Sequence, residues 1–173
     1  EKLSFLIQSL VKTARLENGV IQTVPKVNSI QELLEYVVSQ AEYKAEQKSI
    51  QIKRCLSDAM ALFDMKWTGE AVYNIVDNAV KYTPSGGNIG IVVSEYSLFI
   101  RVDIMDNGMG ISEEEIPKIF GRFYKSSSSQ QEEGVGLGLY LAREIISRQG
   151  GYIKVVSKVG VGTTFSVFLR TVI

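Results

Sequence analysis

The sequence predicts a domain of the α+β class that carries one additional helix at its N-terminal end. Apolar residues recur at helical spacing in several long segments, while shorter segments alternate between apolar and polar residues, as half-buried strands do. The strand-like segments 89–95 and 98–105 are separated by two residues, a connection that joins antiparallel strands. With 173 residues, 45% of them hydrophobic, the chain is long enough to bury one sizeable core.

The composition excludes several classes of function. Acidic and basic residues balance at 19 each, whereas a dedicated nucleic-acid-binding protein usually carries a basic excess. The one cysteine, Cys55, allows no internal disulfide and fits a reducing compartment. No apolar run approaches the ~18 residues of a membrane span, and the start shows no signal-peptide pattern. The chain contains no histidine, which excludes imidazole ligands, serine–histidine triads and a phosphohistidine on this chain.

Residues 1–17 are predicted to form a helix. Its apolar positions follow the spacing of a coiled-coil seam: Leu3, Ile7, Leu10 and Ala14. The helix begins without an N-cap signal, which suggests the end of a longer helix, and Asn18-Gly19 ends it. The same pattern fits an amphipathic helix that packs on its own domain, so both interpretations stay open.

The next elements are predicted to alternate between strand and helix. Residues 20–27 have the pattern of a short strand, and Asn28 or Ser29 is expected to cap a helix that frays at 46–48. Two further strands are predicted: 50–53 and 59–64.

A predicted helix over residues 66–82 carries asparagine side chains that helix propensity alone does not explain. Asn74 and Asn78 lie four residues apart, and therefore on one face, with Lys81 on or beside that face. Asn is a mediocre helix former. The carbonyl oxygen of Asn78 suits Mg²⁺, and the cation of Lys81 suits phosphate oxygens. The alternative is a solvated helix face whose amides bond to the backbone.

The segment around Asp106 is the central candidate for a ligand site. Asp106 follows the predicted strand 98–105, and Gly108 and Gly110 follow it. A carboxylate fixed at the end of a strand can accept hydrogen bonds from an amino group of a flat ligand, and glycines let that ligand lie close. Taken alone, the segment is explained more simply by an Asx-type turn.

A second glycine-rich segment, 134–138, is predicted to open a helix over 139–149. Backbone N–H groups at a helix N-terminus bind anions, although neither the dinucleotide fingerprint nor a P-loop is present. The alternative for the glycine segment alone is a flexible loop. Upstream, Ser112 is expected to cap a short helix, and the polar segment 125–133 to form a mobile lid or a disordered insert. Two strands complete the prediction: 152–156 and 163–172.

The order of these motifs resembles the ATP-binding catalytic domain of sensor histidine kinases. An Asn-rich helix is followed by Asp-x-Gly-x-Gly, Phe-x-Arg-Phe, a polar segment, Gly-x-Gly-x-Gly at a helix start, and Gly-x-Gly-Thr before a strand. The resemblance covers roughly residues 20–173 and implies a Bergerat-type two-layer α/β sandwich with a mixed, mostly antiparallel sheet. It divides the chain into 1–18, the end of the second dimerisation-hairpin helix, and 19–173, the catalytic domain.

The resemblance also implies a role for each candidate residue and the cofactors ATP and Mg²⁺. Asn78 would coordinate Mg²⁺, and Asp106 would accept the adenine amino group. Lys81 and Arg122 would contact phosphates during γ-phosphoryl transfer. The other expected ATP contacts are Asn74, Tyr82, Gly108, Gly110, Ile111, Tyr124, Gly134, Val135, Gly136, Leu137, Gly138, Leu139 and Thr163.

One departure from the family restricts the implied activity. The family transfers phosphate to a histidine on a helix that this sequence lacks, so the chain alone is not expected to autophosphorylate. The implied partners are a phosphoacceptor helix of the same or a partner subunit and a response regulator receiver domain, with no nucleic acid. The implied setting is the cytoplasmic part of a homodimeric, membrane-anchored bacterial protein, and whether this chain alone dimerises stays open.

Other functions of the same fold are alternatives to a histidine kinase. ATP hydrolases of this fold use a glutamate four residues before the metal-binding Asn, but that position is Asn74, which cannot act as a base at neutral pH. A serine kinase of the anti-sigma type is a minor variant. A nucleotide-binding module without transfer activity is the remaining alternative.

Overall fold

The computed structural model describes residues 2–126 and 134–172, which form a seven-stranded sheet packed against helices. Residues 127–133, most of the predicted lid, lie outside this part. The α-helices are α1 (Lys2–Glu17), α2 (Ile30–Gln47), α3 (Met65–Tyr82) and α4 (Gly138–Arg148). The strands are β1 (Lys26–Ser29), β2 (Gln51–Arg54), β3 (Met60–Phe63), β4 (Asn88–Glu95), β5 (Phe99–Asp106), β6 (Tyr152–Lys158) and β7 (Gly162–Thr171).

Strand β7 holds the sheet together because both of its edges are paired. One edge pairs antiparallel with β5, from Asp106 opposite Thr163 to Phe99 opposite Arg170. The other edge pairs with β6 and then with β3. The strand order is β1-β3-β7-β5-β4-β2, with β6 beside β7, and among the described strands only β2 and β4 pair in parallel. The predicted α+β sandwich with a mixed, mostly antiparallel sheet is confirmed.

Helix α3 packs its apolar side against the sheet, so its polar face points away from the core. One stripe of α3 is almost completely buried, with side chains at helical spacing: Val72, Ile75, Val76 and Ala79. The facing side chains of β5 alternate as a strand requires: Ile100, Val102 and Ile104. Asn74 and Asn78 lie on the other side of α3 and are only half-buried. Burial of the apolar stripe therefore fixes where these two amides point.

The starts of α2 and α3 follow the capping rules. Ser29 caps α2, and its side chain accepts the N–H of Glu32, as the sequence predicts. Asp64 caps α3 in the same way through the N–H of Trp67. The bounds predicted for α1, α2, α3 and α4 agree with the structure to within one or two residues.

Two predicted local features are wrong. Only the end of segment 20–27 is a strand, because the N–H groups of Val20 and Ile21 bond to the carbonyl of Arg15 and close the end of α1 instead. Ser112 does not cap an α-helix. Its carbonyl accepts the N–H groups of Glu115 and Ile116, which makes a turn that leads only into the 3₁₀ segment Ile116–Lys118.

Helix α1 is attached to the rest of the chain mainly through its C-terminal half. Leu16 is completely buried, and Lys12 forms an ion pair of 2.8 Å with Glu70 of α3. In contrast, Leu3 and Ile7 are 70% and 53% exposed. Packing on its own domain therefore accounts for the C-terminal half of α1, while a coiled-coil role for the exposed stripe, and a domain boundary at residue 18, stay predictions.

None of the described helices combines the length and the apolarity that crossing a membrane requires.

Candidate functional site

A cavity of about 1210 Å³ brings together most of the predicted site residues. It lies between the polar face of α3, the end of β5, the start of α4 and helix α1. Its volume exceeds that of an ordinary small-molecule pocket, so it can hold an extended ligand. The predicted residues that line it are Asn74, Asn78, Lys81, Tyr82, Asp106, Gly110, Ile111, Tyr124, Gly134, Val135, Gly136, Leu137, Gly138, Leu139 and Thr163.

Asp106 is held at the end of β5 with one carboxylate oxygen occupied. Its Oδ1 accepts the N–H groups of Gly108 (2.8 Å) and Thr163 (3.3 Å). Its Oδ2 has no hydrogen-bond partner among the described residues. The backbone therefore fixes the carboxylate in one orientation and leaves one oxygen available to a donor in the cavity.

The environment of Asp106 perturbs its ionisation. Burial raises the pKa of this carboxyl group above its ordinary value, while the two backbone N–H groups counteract part of that shift. The charge of Asp106 is thus poorly solvated in the ligand-free protein. A ligand N–H group that donates to Oδ2 would stabilise this charge better than the limited contact with water does.

The two glycines after Asp106 are required by packing of the chain itself. Gly110 has a φ of +73°, and a Cβ there would lie 2.2 Å from the carbonyl oxygen of Lys158. A Cβ on Gly108 would lie 2.5 Å from the carbonyl oxygen of Tyr82. Gly108 does not line the cavity, so its role is to let the loop after β5 lie against the end of α3.

The polar face of α3 supplies amide oxygens that are suited to a magnesium ion. Neither Asn74 nor Asn78 has a side-chain hydrogen bond within the described part of the chain, although both line the cavity. Mg²⁺ prefers hard oxygen ligands and usually takes one or two from the protein and the rest from phosphate and water. The residues present therefore fit the metal and nucleotide that the family implies.

The start of α4 faces the same amides and supplies backbone N–H groups. Helix α4 has no side-chain cap on its first turn, and a Cβ on Gly138 would lie 3.6 Å from Cγ of Asn74. A Cβ on Gly134 would lie 2.8 Å from Nζ of Lys81. The glycine segment, the lysine and the amide face of α3 thus form one continuous surface for an anion.

Arg122, like Gly108, is a predicted site residue that does not line the cavity. Its guanidinium group forms an ion pair with Glu17 of α1 and lies 5.0 Å from the ring centroid of Tyr140. The hydroxyl of Tyr140 donates to the same carboxylate at 2.6 Å. Burial and the bond to Glu17 raise the pKa of Tyr140. In this arrangement Glu17 of α1 pairs with Arg122, the residue that the resemblance assigns to a phosphate.

A polar cluster beside the amide face of α3 was missed by the sequence reasoning. Lys44 of α2 bonds to Asp77 at 2.5 Å and to the hydroxyl of Tyr73 at 3.3 Å, and all three line the cavity. Burial lowers the pKa of Lys44, but its bonds to Asp77 and Tyr73 outweigh that and raise it overall. Local spacing places Tyr73 and Asp77 on one helix face, but the partner on α2 depends on how two helices pack.

Comparison with known proteins assigns the family. The model of the histidine kinase-, DNA gyrase B- and HSP90-like ATPase family matches residues 63–173, and the chain belongs to this family. It is 33% identical to sensor protein KdpD of Clostridium acetobutylicum, over an alignment that covers 95% of this chain and 19% of that protein. It is 30% identical to sensor protein SrrB of Staphylococcus aureus, over 98% of this chain and 30% of that protein.

A solved structure agrees with this assignment. The catalytic domain of histidine kinase ThkA superimposes with a TM-score of 0.74 at 26% identity, over 86% of this chain and 96% of that one. The chain is therefore similar to the catalytic ATP-binding part of a histidine kinase. It spans only 19% to 30% of the length of the two curated relatives described above.

Proposed function

We propose that this chain binds ATP with Mg²⁺ and transfers the γ-phosphoryl group to a histidine on another helix, as the catalytic part of a two-component sensor histidine kinase. The observation that carries the proposal is the convergence, in one cavity, of a fixed acceptor carboxylate, two amides without a side-chain hydrogen bond to any described residue, and a helix start with no side-chain bond from its N-cap residue. A nucleotide needs these three features for its base, its metal and its phosphates. The sensor proteins among the relatives favour histidine as the acceptor.

Each feature of the cavity has a defined task in this proposal. Asp106, with Thr163 beside it, accepts the amino group of adenine. Asn78 offers its amide oxygen to Mg²⁺, and Lys81 and the N–H groups of 134–138 face the phosphates. Mg²⁺, when bound, neutralises negative charge on the phosphate oxygens. Because phosphoryl transfer depends mainly on positioning and charge neutralisation, these residues would supply the main catalytic contribution of the chain.

The acidic residues of the cavity disfavour ATP hydrolysis. A hydrolase needs a base that activates water. Within the described cavity lining the acidic residues are Glu70, Asp77 and Asp106. Glu70 and Asp77 are paired with lysines, while Asp106 accepts two backbone N–H groups through Oδ1 and is assigned to the adenine amino group through Oδ2. Position 74, where a base would stand, is an asparagine.

The partners and the cellular setting of the whole protein are part of the proposal. We infer a phosphoacceptor helix, a response regulator receiver domain and a homodimer in which the exposed stripe of α1 takes part. The relatives are named as sensor proteins, which fits a membrane-anchored protein with this part in the cytoplasm.

Calorimetric titration of Mg·ATP into this chain tests the binding step, and radiolabel transfer from γ-labelled ATP to an added histidine-bearing helix tests the reaction. We expect binding with one site, and transfer only when the helix is present. Binding without transfer to several such helices would indicate a module that only binds nucleotide. Steady ATP turnover without an acceptor would indicate a hydrolase.

We expect adenosine affinity to fall as the pH is lowered into the mildly acidic range. The ionised form of Asp106 is the acceptor, and burial raises its pKa, so protonation begins at a higher pH than for an exposed aspartate. Adenosine avoids the titration of phosphate groups, and chemical-shift titration by NMR measures its affinity. An affinity that stays constant down to about pH 4, near the ordinary aspartate pKa, would contradict the prediction.

We expect Glu17→Gln to increase the rate of transfer to an added histidine helix about twofold to fivefold, because it frees Arg122 from α1. The pair is partly exposed, with side-chain exposures of 51% for Arg122 and 28% for Glu17, so only a modest energy is involved. The transfer rate and the ATP affinity are measured together, with the exposed Glu46→Gln as the matched control. A lower rate, or an increase that Glu46→Gln reproduces, would argue against release of Arg122.

A further inference from the structure

A half-buried serine on β6, Ser157, stands behind the edge of the cavity that is proposed to bind adenine. Its Oγ accepts the N–H of Ile111 at 2.8 Å and donates to the carbonyl oxygen of Gly162 at 3.0 Å. The same oxygen lies 2.7 Å from Oγ1 of Thr163. Ser157 does not itself line the cavity, but it joins the loop after β5 to the first residues of β7.

The protons of the two hydroxyl groups can be placed by counting. A hydroxyl carries one proton and two lone pairs. The contacts of Ser157 with Gly162 and with Thr163 are both hydrogen bonds only if Ser157 donates to the Gly162 carbonyl and Thr163 donates to Ser157. If Ser157 donated to Thr163 instead, the carbonyl of Gly162 would lose this bond. With the N–H of Ile111 as second donor, Ser157 Oγ is then fully used.

This arrangement determines what Thr163 can offer to a ligand. Its proton is committed to Ser157, so only lone pairs of Oγ1 are left for the cavity that Thr163 lines. Asp106 stands directly opposite Thr163 in the sheet, and its carboxylate is also an acceptor. The two side chains therefore form an edge that consists of acceptors alone.

We propose that Ser157 is a positioning residue that turns the proton of Thr163 away from the cavity and makes this edge selective for a purine with an amino group at C6. The inference rests on the proposed ATP function and deepens it. The amino group of adenine has two N–H donors for two acceptors. Hypoxanthine carries a keto oxygen at the same position, which would face lone pairs, and its one N–H on this edge, at ring N1, could serve only one of the two acceptors.

The ratio of the dissociation constants for Mg·ITP and Mg·ATP tests this role. We expect the wild-type chain to favour ATP and Ser157→Ala to reduce the ratio about fivefold, because Thr163 can then donate to the keto oxygen; one net hydrogen bond corresponds to about this factor. Ser157→Thr keeps the oxygen on a strand and should keep the ratio. Ser166→Ala is the matched control, since it removes a hydroxyl from the same sheet, one that bonds to Asp103 at 2.5 Å.

A change in the ratio of the two dissociation constants distinguishes a role of Ser157 in positioning Thr163 from a role in supporting the fold. If Ser157→Ala weakens both nucleotides equally, Ser157 only supports the loop, and the inference is overturned. A double-mutant cycle adds a check: in a Thr163→Val background, Ser157→Ala should no longer change the ratio. If Ser157→Ala does not fold, Thr163→Val alone must still reduce the ratio. If the wild type binds neither triphosphate, the proposed function itself fails.

Discussion

Asp106→Asn is expected to reduce ATP affinity by on the order of 100-fold or more, to below what calorimetry detects. The substitution replaces a charged acceptor by an amide, and hydrogen bonds to charged groups contribute about twice as much as neutral ones. Oδ1 is already bonded to Gly108 and Thr163, so the oxygen lost to the ligand is Oδ2. An NH₂ group in its place would present donors to the donor group of adenine.

The same substitution is expected to leave the fold intact or to stabilise it. Burial raises the pKa of Asp106 in the folded chain, so its contribution to stability is present at low pH and is lost as the pH rises through that pKa. At neutral pH the ionised carboxylate therefore costs stability, and asparagine removes that cost while its Oδ1 still accepts the two N–H groups. The thermal midpoint should be unchanged or higher, which separates loss of binding from loss of structure.

Asp58→Asn is the matched control for Asp106→Asn. Asp58 is exposed, lies between β2 and β3, and does not line the cavity. The Asp58→Asn variant should bind Mg·ATP with the affinity of the wild type. Retention of ATP affinity by Asp106→Asn would show that the base is not held by this carboxylate, and a reduced thermal midpoint would show that the lost binding is a folding defect.

The parts of the site that the sequence predicted are those set by local periodicity. Asn74 and Asn78 share a face because they are one helical turn apart, and the buried stripe of the same helix decides that this face points away from the core. Asp106 is fixed in the same way by the alternation of β5, which buries Ile104 and ends at the carboxylate. These placements need no knowledge of the rest of the fold.

The parts that the sequence did not predict depend on contacts between distant segments. Arg122 meets Glu17 only because α1 packs beside the end of the cavity. Ser157 reaches Ile111 and Thr163 only because the register of β6 and β7 brings the loop after β5 over it. The error at segment 20–27 has the same origin, because its alternating pattern is strand-like but its first N–H groups are already used by the end of α1.

Asn78→Ala is expected to reduce the rate of phosphoryl transfer by about 100-fold or more, and to weaken ATP binding only when Mg²⁺ is present. Asn78 is half-buried in the cavity, and its amide has no hydrogen-bond partner in the described part of the chain, so alanine breaks no described side-chain hydrogen bond of the fold. What is lost is an oxygen ligand for the metal, and loss of one such electrostatic contact typically costs two to three orders of magnitude in rate.

The dependence on metal distinguishes a ligand from a residue that merely contacts the nucleotide. ATP affinity is measured for wild type and Asn78→Ala with Mg²⁺ and with a chelator, because a metal ligand must lose its effect when the metal is removed. Gln47→Ala is the matched control, since it deletes an exposed amide from α2 outside the cavity. An equal loss of affinity with and without Mg²⁺ would place Asn78 against the nucleotide itself, and the metal ligand would then be sought at Asn74, the other cavity-lining amide on this face of α3.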